Sequence, residues 1–263
     1  MNYELLGLLV VLGAFVGVLA GLLGIGGGVV IVPALLYLLP YFGISADITM
    51  QIALGTSLAT IIITSGSSAI NHLALGNVDM FAIKWLMPGV LAGGFFGTFI
   101  AEWIPTELLP KIFAVIIFII GVRMLLSIRN VQPAQMPTPT LTMCYGGGIG
   151  VISSLAGIGG GSLSVPFLNR HGVIMRKAVG SSSVCGCVIA LAGMIGFMLQ
   201  GYHVQNLPPY SIGYVYLPAL FAIACTSVLT TKVGAKLATR ISTPILKKVF
   251  AVFLMFVAST MLL

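Results

Sequence analysis

Charge is what this chain has least of. Of its 263 residues only 6% are Asp, Glu, Lys or Arg, against 59% hydrophobic. A water-exposed globular surface needs about 25% charged residues, so a soluble domain is excluded and lipid must be the solvent for most of the surface. Backbone groups in lipid have to be paired internally, which leaves helices or a closed barrel. A barrel shows segments of about ten residues that alternate apolar and polar. Here the apolar runs are long and continuous, as over 108–128 and 245–263. The fold class expected is an all-α integral membrane protein.

Other scarcities narrow the function. The five acidic residues, Glu4, Asp47, Asp79, Glu102 and Glu107, all fall at segment ends or in loops. With no carboxylate in mid-span, a buried Asp/Glu proton relay has no candidate. The four cysteines, Cys144, Cys185, Cys187 and Cys225, lie in apolar stretches with no metal-type spacing, and they read as small buried hydrophobes. No Walker-type phosphate loop, Gly-x-Ser-x-Gly elbow or His-Glu-x-x-His pair occurs. No enzyme activity, cofactor or metal site is therefore expected. The net charge of +7 would suit nucleic acid. However, the twelve basic residues sit in short loops between apolar runs, as the positive-inside rule describes. The expected partner is a bilayer and not a nucleic acid. The start, Met1-Asn2-Tyr3-Glu4, has no basic region ahead of its apolar run and reads as a retained segment.

Glycine, by contrast, is abundant and patterned. Apolar segments fall at about 5–23, 29–42, 50–71, 83–101, 108–128, 141–156, 162–169, 177–200, 213–231 and 244–263. Two of them, 29–42 and 162–169, are shorter than the roughly twenty residues a crossing needs, and each follows a glycine cluster. Gly24-Ile25-Gly26-Gly27-Gly28, with Pro33 after it, matches Gly157-Ile158-Gly159-Gly160-Gly161 with Pro166. Gly55-Thr56-Ser57 matches Gly180-Ser181-Ser182, and Lys111-Ile112-Phe113-Ala114-Val115 matches Lys248-Val249-Phe250-Ala251-Val252. Three landmarks in one order define an internal repeat. One transmembrane domain spans 1–263, with repeat one at 1–128, a polar, proline-bearing linker at 129–140 and repeat two at 141–263. Each copy holds a glycine-broken helix or hairpin plus three transmembrane helices, about eight transmembrane segments in all.

Two topologies compete. If each glycine cluster is a kink, the copies lie parallel and the basic residues divide nine to three. If each is a turn, the copies are inverted and the division is eleven to one, with only Lys111 outside. The positive-inside rule favours the second, and both put the termini in the periplasm.

Three consecutive glycines break a helix, and irregular backbone at membrane depth is tolerated only where it lines a cavity or is buried in protein. Helices resuming at Gly28 and Gly161 would aim free N–H groups and a positive dipole end at the break, which suits an anion. Paired broken helices in two repeats point to a transporter's substrate site. Tight helix packing is the other reading, and for Gly89, Gly93 and Gly97, four apart on one helix, it is preferred. The candidate substrate-binding residues are Gly26, Gly27, Gly28, Thr56 and Ser57 in one copy and Gly159, Gly160, Gly161, Ser181 and Ser182 in the other. The hydroxyls could instead bond back to their own helices. His72 reads as an interfacial, solvated histidine.

These residues make the chain similar to the TauE/SafE-type sulfite exporter family, also called the toluene sulfonate uptake permease family. The likeness covers nearly the whole chain. It rests on the two Gly-Ile-Gly-Gly-Gly segments, on Gly55-Thr56-Ser57-Leu58-Ala59, on Ser68-Ala69-Ile70-Asn71-His72 with Gly76-Asn77-Val78-Asp79, on Leu217-Pro218-Ala219-Leu220 and on Gly234-Ala235-Lys236-Leu237-Ala238. Where similar proteins often carry a basic residue two places after the histidine, this chain has Ala74. Where they show Ala-Pro, it has Thr231-Lys232. The resemblance implies a bacterial inner-membrane carrier of a small anion such as sulfite, an organosulfonate or a related carboxylate. A passive channel or a structural membrane subunit is the alternative.

Overall fold

The structure is a computed structural model that describes residues 3–23, 27–126, 135–238 and 243–262. It is helical almost throughout. In chain order the elements are α1 (Tyr3–Leu23), α2 (Gly28–Tyr41), α3 (Ala46–Ala74), α4 (Met80–Trp103), α5 (Leu109–Leu126), α6 (Pro139–Leu155), α7 (Gly161–Arg170) and α8 (Met175–Gly201). A two-stranded ribbon, β1 (Ser211–Ile212) and β2 (Val215–Tyr216), then leads into α9 (Leu217–Ala238) and α10 (Thr243–Leu262). Among the described residues six helices are long and apolar enough to cross a membrane: α1, α3, α4, α5, α8 and α9. Large apolar side chains such as Val11, Phe96, Phe221 and Leu229 are exposed, as a lipid-facing surface requires.

α3 is the central element. Its apolar span is 78% buried, against 28% for α1, and it packs along α8. Gly55 lies against Phe197, Gly66 against Cys187 and Gly180 against His72, so α3 and α8 are antiparallel. Around this pair, α1 packs on α9, α4 on α6 and on α8, and α5 on α10. Glycine sets these approaches. A β-carbon added at Gly89 or Gly93 of α4 would overlap the carbonyls of Met143 or Gly147, and one at Gly97 the Ser154 hydroxyl. The packing face read from Gly89, Gly93 and Gly97 is thus the seam between α4 and α6.

The contact order fixes the helix directions. Gly13 meets Ile223 and Gly17 meets Ser227, so α1 and α9 are parallel. Gly89 meets Met143 and Gly97 meets Val151, so α4 and α6 are parallel, and α4 also runs with α8, Gly94 meeting Ile189 and Gly196 meeting Thr98. The ribbon folds back on the end of α8, where the Tyr214 N–H donates to the Phe197 carbonyl (3.2 Å). From there α9 leaves beside Thr56, in the first half of α3. α1 therefore runs with α3 and α6 with α8, so α1 and α6 point in opposite directions. Of the basic residues described, Lys84, Arg123, Arg170, Arg176, Lys177, Lys232, Lys236 and Lys248 stand toward the end where α3 finishes, and Lys111 stands at the other.

The sequence reading places an apolar helix from 213, whereas the ribbon occupies the chain to Tyr216 and α9 starts at Leu217. Gly213 has φ +53°, left-handed backbone that glycine adopts without strain. It lets Val215 and Tyr216, of high strand propensity, pair with Ile212 and Ser211.

Candidate functional site

The two short helices, α2 and α7, begin in the same way. Each is capped by a glycine in the left-handed region, Gly27 at φ +72° and Gly160 at φ +69°. In each, the capping carbonyl accepts the first helical bonds, from Val30 and Ile31 in α2 and from Leu163 and Ser164 in α7. The amides of Gly28 and Val29, and of Gly161 and Ser162, precede those bonds and lie at the positive end of each helix dipole. Gly28 and Gly161 start α2 and α7. Gly26 lies outside the described residues.

The turns meet at the middle of α3 and α8. A β-carbon on Gly28 would overlap the Gly157 carbonyl oxygen and come within 2.7 Å of Ile61 Cδ1 and 2.9 Å of Ser57 Oγ. The buried Ser57 hydroxyl donates to the same Gly157 carbonyl at 2.8 Å. On the other flank, Gly159 lies against Ile61 and Ser65, and its carbonyl touches Gly186 of α8. The structure thus brings Gly27, Gly28, Ser57, Gly159, Gly160 and Gly161 into one region. Ser182 is buried on α8.

Thr56 and Ser181 have a different local use. Thr56 Oγ1 accepts the Tyr216 N–H at 3.0 Å, and Ser181 Oγ accepts the Asp79 N–H at 2.8 Å. Each hydroxyl ties down the residue that precedes a crossing helix, α9 in one case and α4 in the other. The glycine before each hydroxyl admits the same loop: a β-carbon on Gly55 would meet the Tyr214 carbonyl, and one on Gly180 the Asn77 carbonyl. Asp79 in turn caps α4, its Oδ1 accepting the Ala82 N–H at 3.1 Å. Near the ribbon, the Tyr214 hydroxyl donates to Glu102 Oε1 at 3.1 Å. Burial, reinforced by the Glu102 charge and hydrogen bond, holds this phenol above its usual range, so it stays protonated as the donor.

Sequence reasoning missed the serines around the second turn, Ser153, Ser162 and Ser164. The signal was present in the repeat, since Ser162 and Ser164 stand where the first copy has Val29 and Ile31, and Ser153 where it has Ala20.

A bundle of long apolar helices with large apolar side chains on its outside defines a multi-pass membrane protein. The chain belongs to the sulfite exporter TauE/SafE family, whose sequence profile matches residues 9–261. It is 43% identical over 258 residues to a probable membrane transporter protein of Haemophilus influenzae, covering 97% of each chain. It is 30% identical over 244 residues to one of Methanocaldococcus jannaschii, covering 90% of this chain and 88% of the relative. To the probable membrane transporter protein YdhB of Bacillus subtilis it is 32% identical over 198 residues, covering 71% and 76%. No solved structure matches the chain.

Proposed function

We propose that this protein is a secondary carrier of a small anion, a sulfite, organosulfonate or related carboxylate, working by alternating access around its two glycine turns. The observation that carries the reading is the meeting of two glycine-capped helix starts, at Gly28 and Gly161, against Ser57 and Gly157 at the centre of the bundle. Both aim amides and a positive dipole end into the protein. An anion in a low-dielectric site needs oriented donors, and no Lys or Arg stands at mid-span to supply a charge. Backbone amides and the Ser182 hydroxyl provide donors without a permanent countercharge, so release stays possible, while Ser57 lines the site and donates to the Gly157 carbonyl. Thr56 and Ser181 serve the same site by fixing the loops that carry α9 and α4.

In this reading the halves 1–128 and 141–263 are inverted repeats joined by the linker 129–140, with the pseudo-two-fold axis in the membrane plane. The opposite directions of α1 and α6, the matching caps at Gly27 and Gly160 and the matching ties at Thr56 and Ser181 support it. Six crossings, α3, α4, α5, α8, α9 and α10, and two glycine-turned hairpins, α1 with α2 and α6 with α7, make the eight transmembrane segments. The basic end faces the cytoplasm of a bacterial inner membrane and both termini face the periplasm. The protein is a carrier and not an enzyme, and it needs no cofactor.

Counterflow in proteoliposomes tests this. A carrier preloaded with unlabelled sulfite, methanesulfonate or acetate takes up the labelled anion transiently above equilibrium. Absence of overshoot with every anion of such a panel would refute the carrier reading.

A further inference from the structure

The two turns share a backbone but not a chemistry. Hydroxyls within the helices mostly bond back to a carbonyl one turn earlier: Ser154 to Gly150 at 2.8 Å, Thr60 to Thr56 at 2.9 Å and Thr230 to Thr226 at 2.9 Å. Ser153 and Ser164 do not. They are 1% and 0% exposed, and neither Oγ has a hydrogen-bond partner. A buried hydroxyl without a partner is disfavoured, and here two of them face the same place. A β-carbon on Gly160, the cap of α7, would lie 3.4 Å from Ser164 Oγ and 3.6 Å from Ser153 Oγ. At Gly27 the corresponding point meets Val16 Cγ1 and Ala20 Cβ, and its one polar neighbour is the Val16 carbonyl oxygen at 3.7 Å, an acceptor that cannot donate to an anion.

We infer that the second turn alone receives the oxyanion head of the substrate, with Ser153 and Ser164 donating to it beside the amides of Gly161 and Ser162. The assignment rests on the carrier reading above. Each hydroxyl brings one donor, and a donor to a charged group is worth more than one to a neutral group. The unpartnered hydroxyls are the groups a ligand would complete, and the first turn offers none like them. In the structure the place is closed by the tip of Ile189, whose Cδ1 comes within 2.6 Å of the Gly160 point. The assignment requires that tip to move away from α7 when the anion binds.

The test uses the full chain purified in detergent, with calorimetric titration of sulfite, methanesulfonate and acetate, alongside thermal unfolding. For an anion that the wild type binds, Ser153→Ala and Ser164→Ala should each weaken affinity about tenfold or more, the loss of one hydrogen bond to a charged group. Ile31→Val, at the first-turn position that corresponds to Ser164, should leave affinity within about twofold. Because no hydrogen bond is lost in the free protein, the serine variants should unfold at the wild-type temperature or above it. Wild-type affinity in the Ser153→Ala/Ser164→Ala double variant overturns the assignment and leaves the carrier reading standing. A fall in unfolding temperature that accompanies the lost affinity also overturns it, since the hydroxyls would then be holding the fold. A wild-type chain that binds no anion and shows no counterflow overturns both.

Discussion

Gly28→Ala separates close packing at the centre from mere absence of a side chain there. Gly28 has an ordinary helical backbone and is not among the positive-φ glycines. Alanine in a helix is favoured over glycine by about 0.8–1 kcal/mol. If nothing stood near, the substitution would therefore stabilise the protein. The structure places the Gly157 carbonyl oxygen inside the radius of the new methyl, with Ile61 Cδ1 at 2.7 Å and Ser57 Oγ at 2.9 Å. Overpacking against backbone costs about 1–3 kcal/mol. Pushing Gly157 away also weakens the buried Ser57 bond of 2.8 Å, worth about 1 kcal/mol. Set against the helix preference, the net change is a destabilisation of about 1–3 kcal/mol. Gly148→Ala is the control, because nothing lies within 4 Å of a β-carbon there. It should leave stability unchanged or raise it by up to about 1 kcal/mol. Denaturation of the purified variants in detergent, followed by tryptophan fluorescence and checked by gel filtration, measures both. A Gly28→Ala protein as stable as Gly148→Ala would show that the two turns do not touch, and the shared central site would fall with the contact.

The other predictions address separate features. Gly27→Val and Gly160→Val put a β-branched residue into left-handed backbone, at about 1–2 kcal/mol each, so membrane insertion should persist while sulfite counterflow falls sharply; normal counterflow in both would make the turns packing elements only. Thr56→Val and Ser181→Ala each leave the N–H of Tyr216 or Asp79 without its acceptor and should destabilise by about 1–3 kcal/mol, with Thr56→Ser close to wild type in the same denaturation assay. Cysteine-accessibility labelling in cells should find Lys84→Cys cytoplasmic and Lys111→Cys periplasmic; the reverse pattern would mean that the inverted arrangement is wrong. Tyr214→Phe removes a hydrogen bond to an exposed carboxylate and should cost no more than about 1 kcal/mol, whereas a loss of several would mean the ribbon is held chiefly by that contact.

The positions of the helices were legible because hydropathy and glycine punctuation are local. The ten apolar segments correspond to the ten helices among the described residues to within a few residues, except the ninth: 213–216 lie in the ribbon, and α9 runs on past 231 to Ala238. The ribbon there depends on Gly213 in left-handed backbone and on a hydrogen bond from Tyr214 to Phe197, neither of which a hydropathy run reveals. The roles of Thr56 and Ser181 were hidden for the same reason. Their acceptor duties join residues 160 and 102 positions away. A sequence reading sees a hydroxyl beside a glycine and cannot tell which long-range amide it meets. The serines of the second turn were visible as a departure between the two copies, but their lack of partners is a property of the packed protein.

The carrier proposed above must part its halves and rejoin them, and the ties between the halves at the centre suit that motion. Gly28 meets the Gly157 carbonyl, backbone against backbone, with the Ile61 and Ser57 side chains beside them. Two ties there are neutral: Ser57 to Gly157 at 2.8 Å and Ser68 with Ser183 at 3.0 Å. Each is worth about 0.5–1.5 kcal/mol net, and breaking one leaves no buried charge behind. A buried ion pair at the same place would cost about 3–5 kcal/mol to strand, enough to hold the halves in one state. In the proposed carrier, glycine at the contact and hydroxyls at the ties would keep the closed and open arrangements near in free energy, which is the condition for an anion's own binding to shift the balance between them.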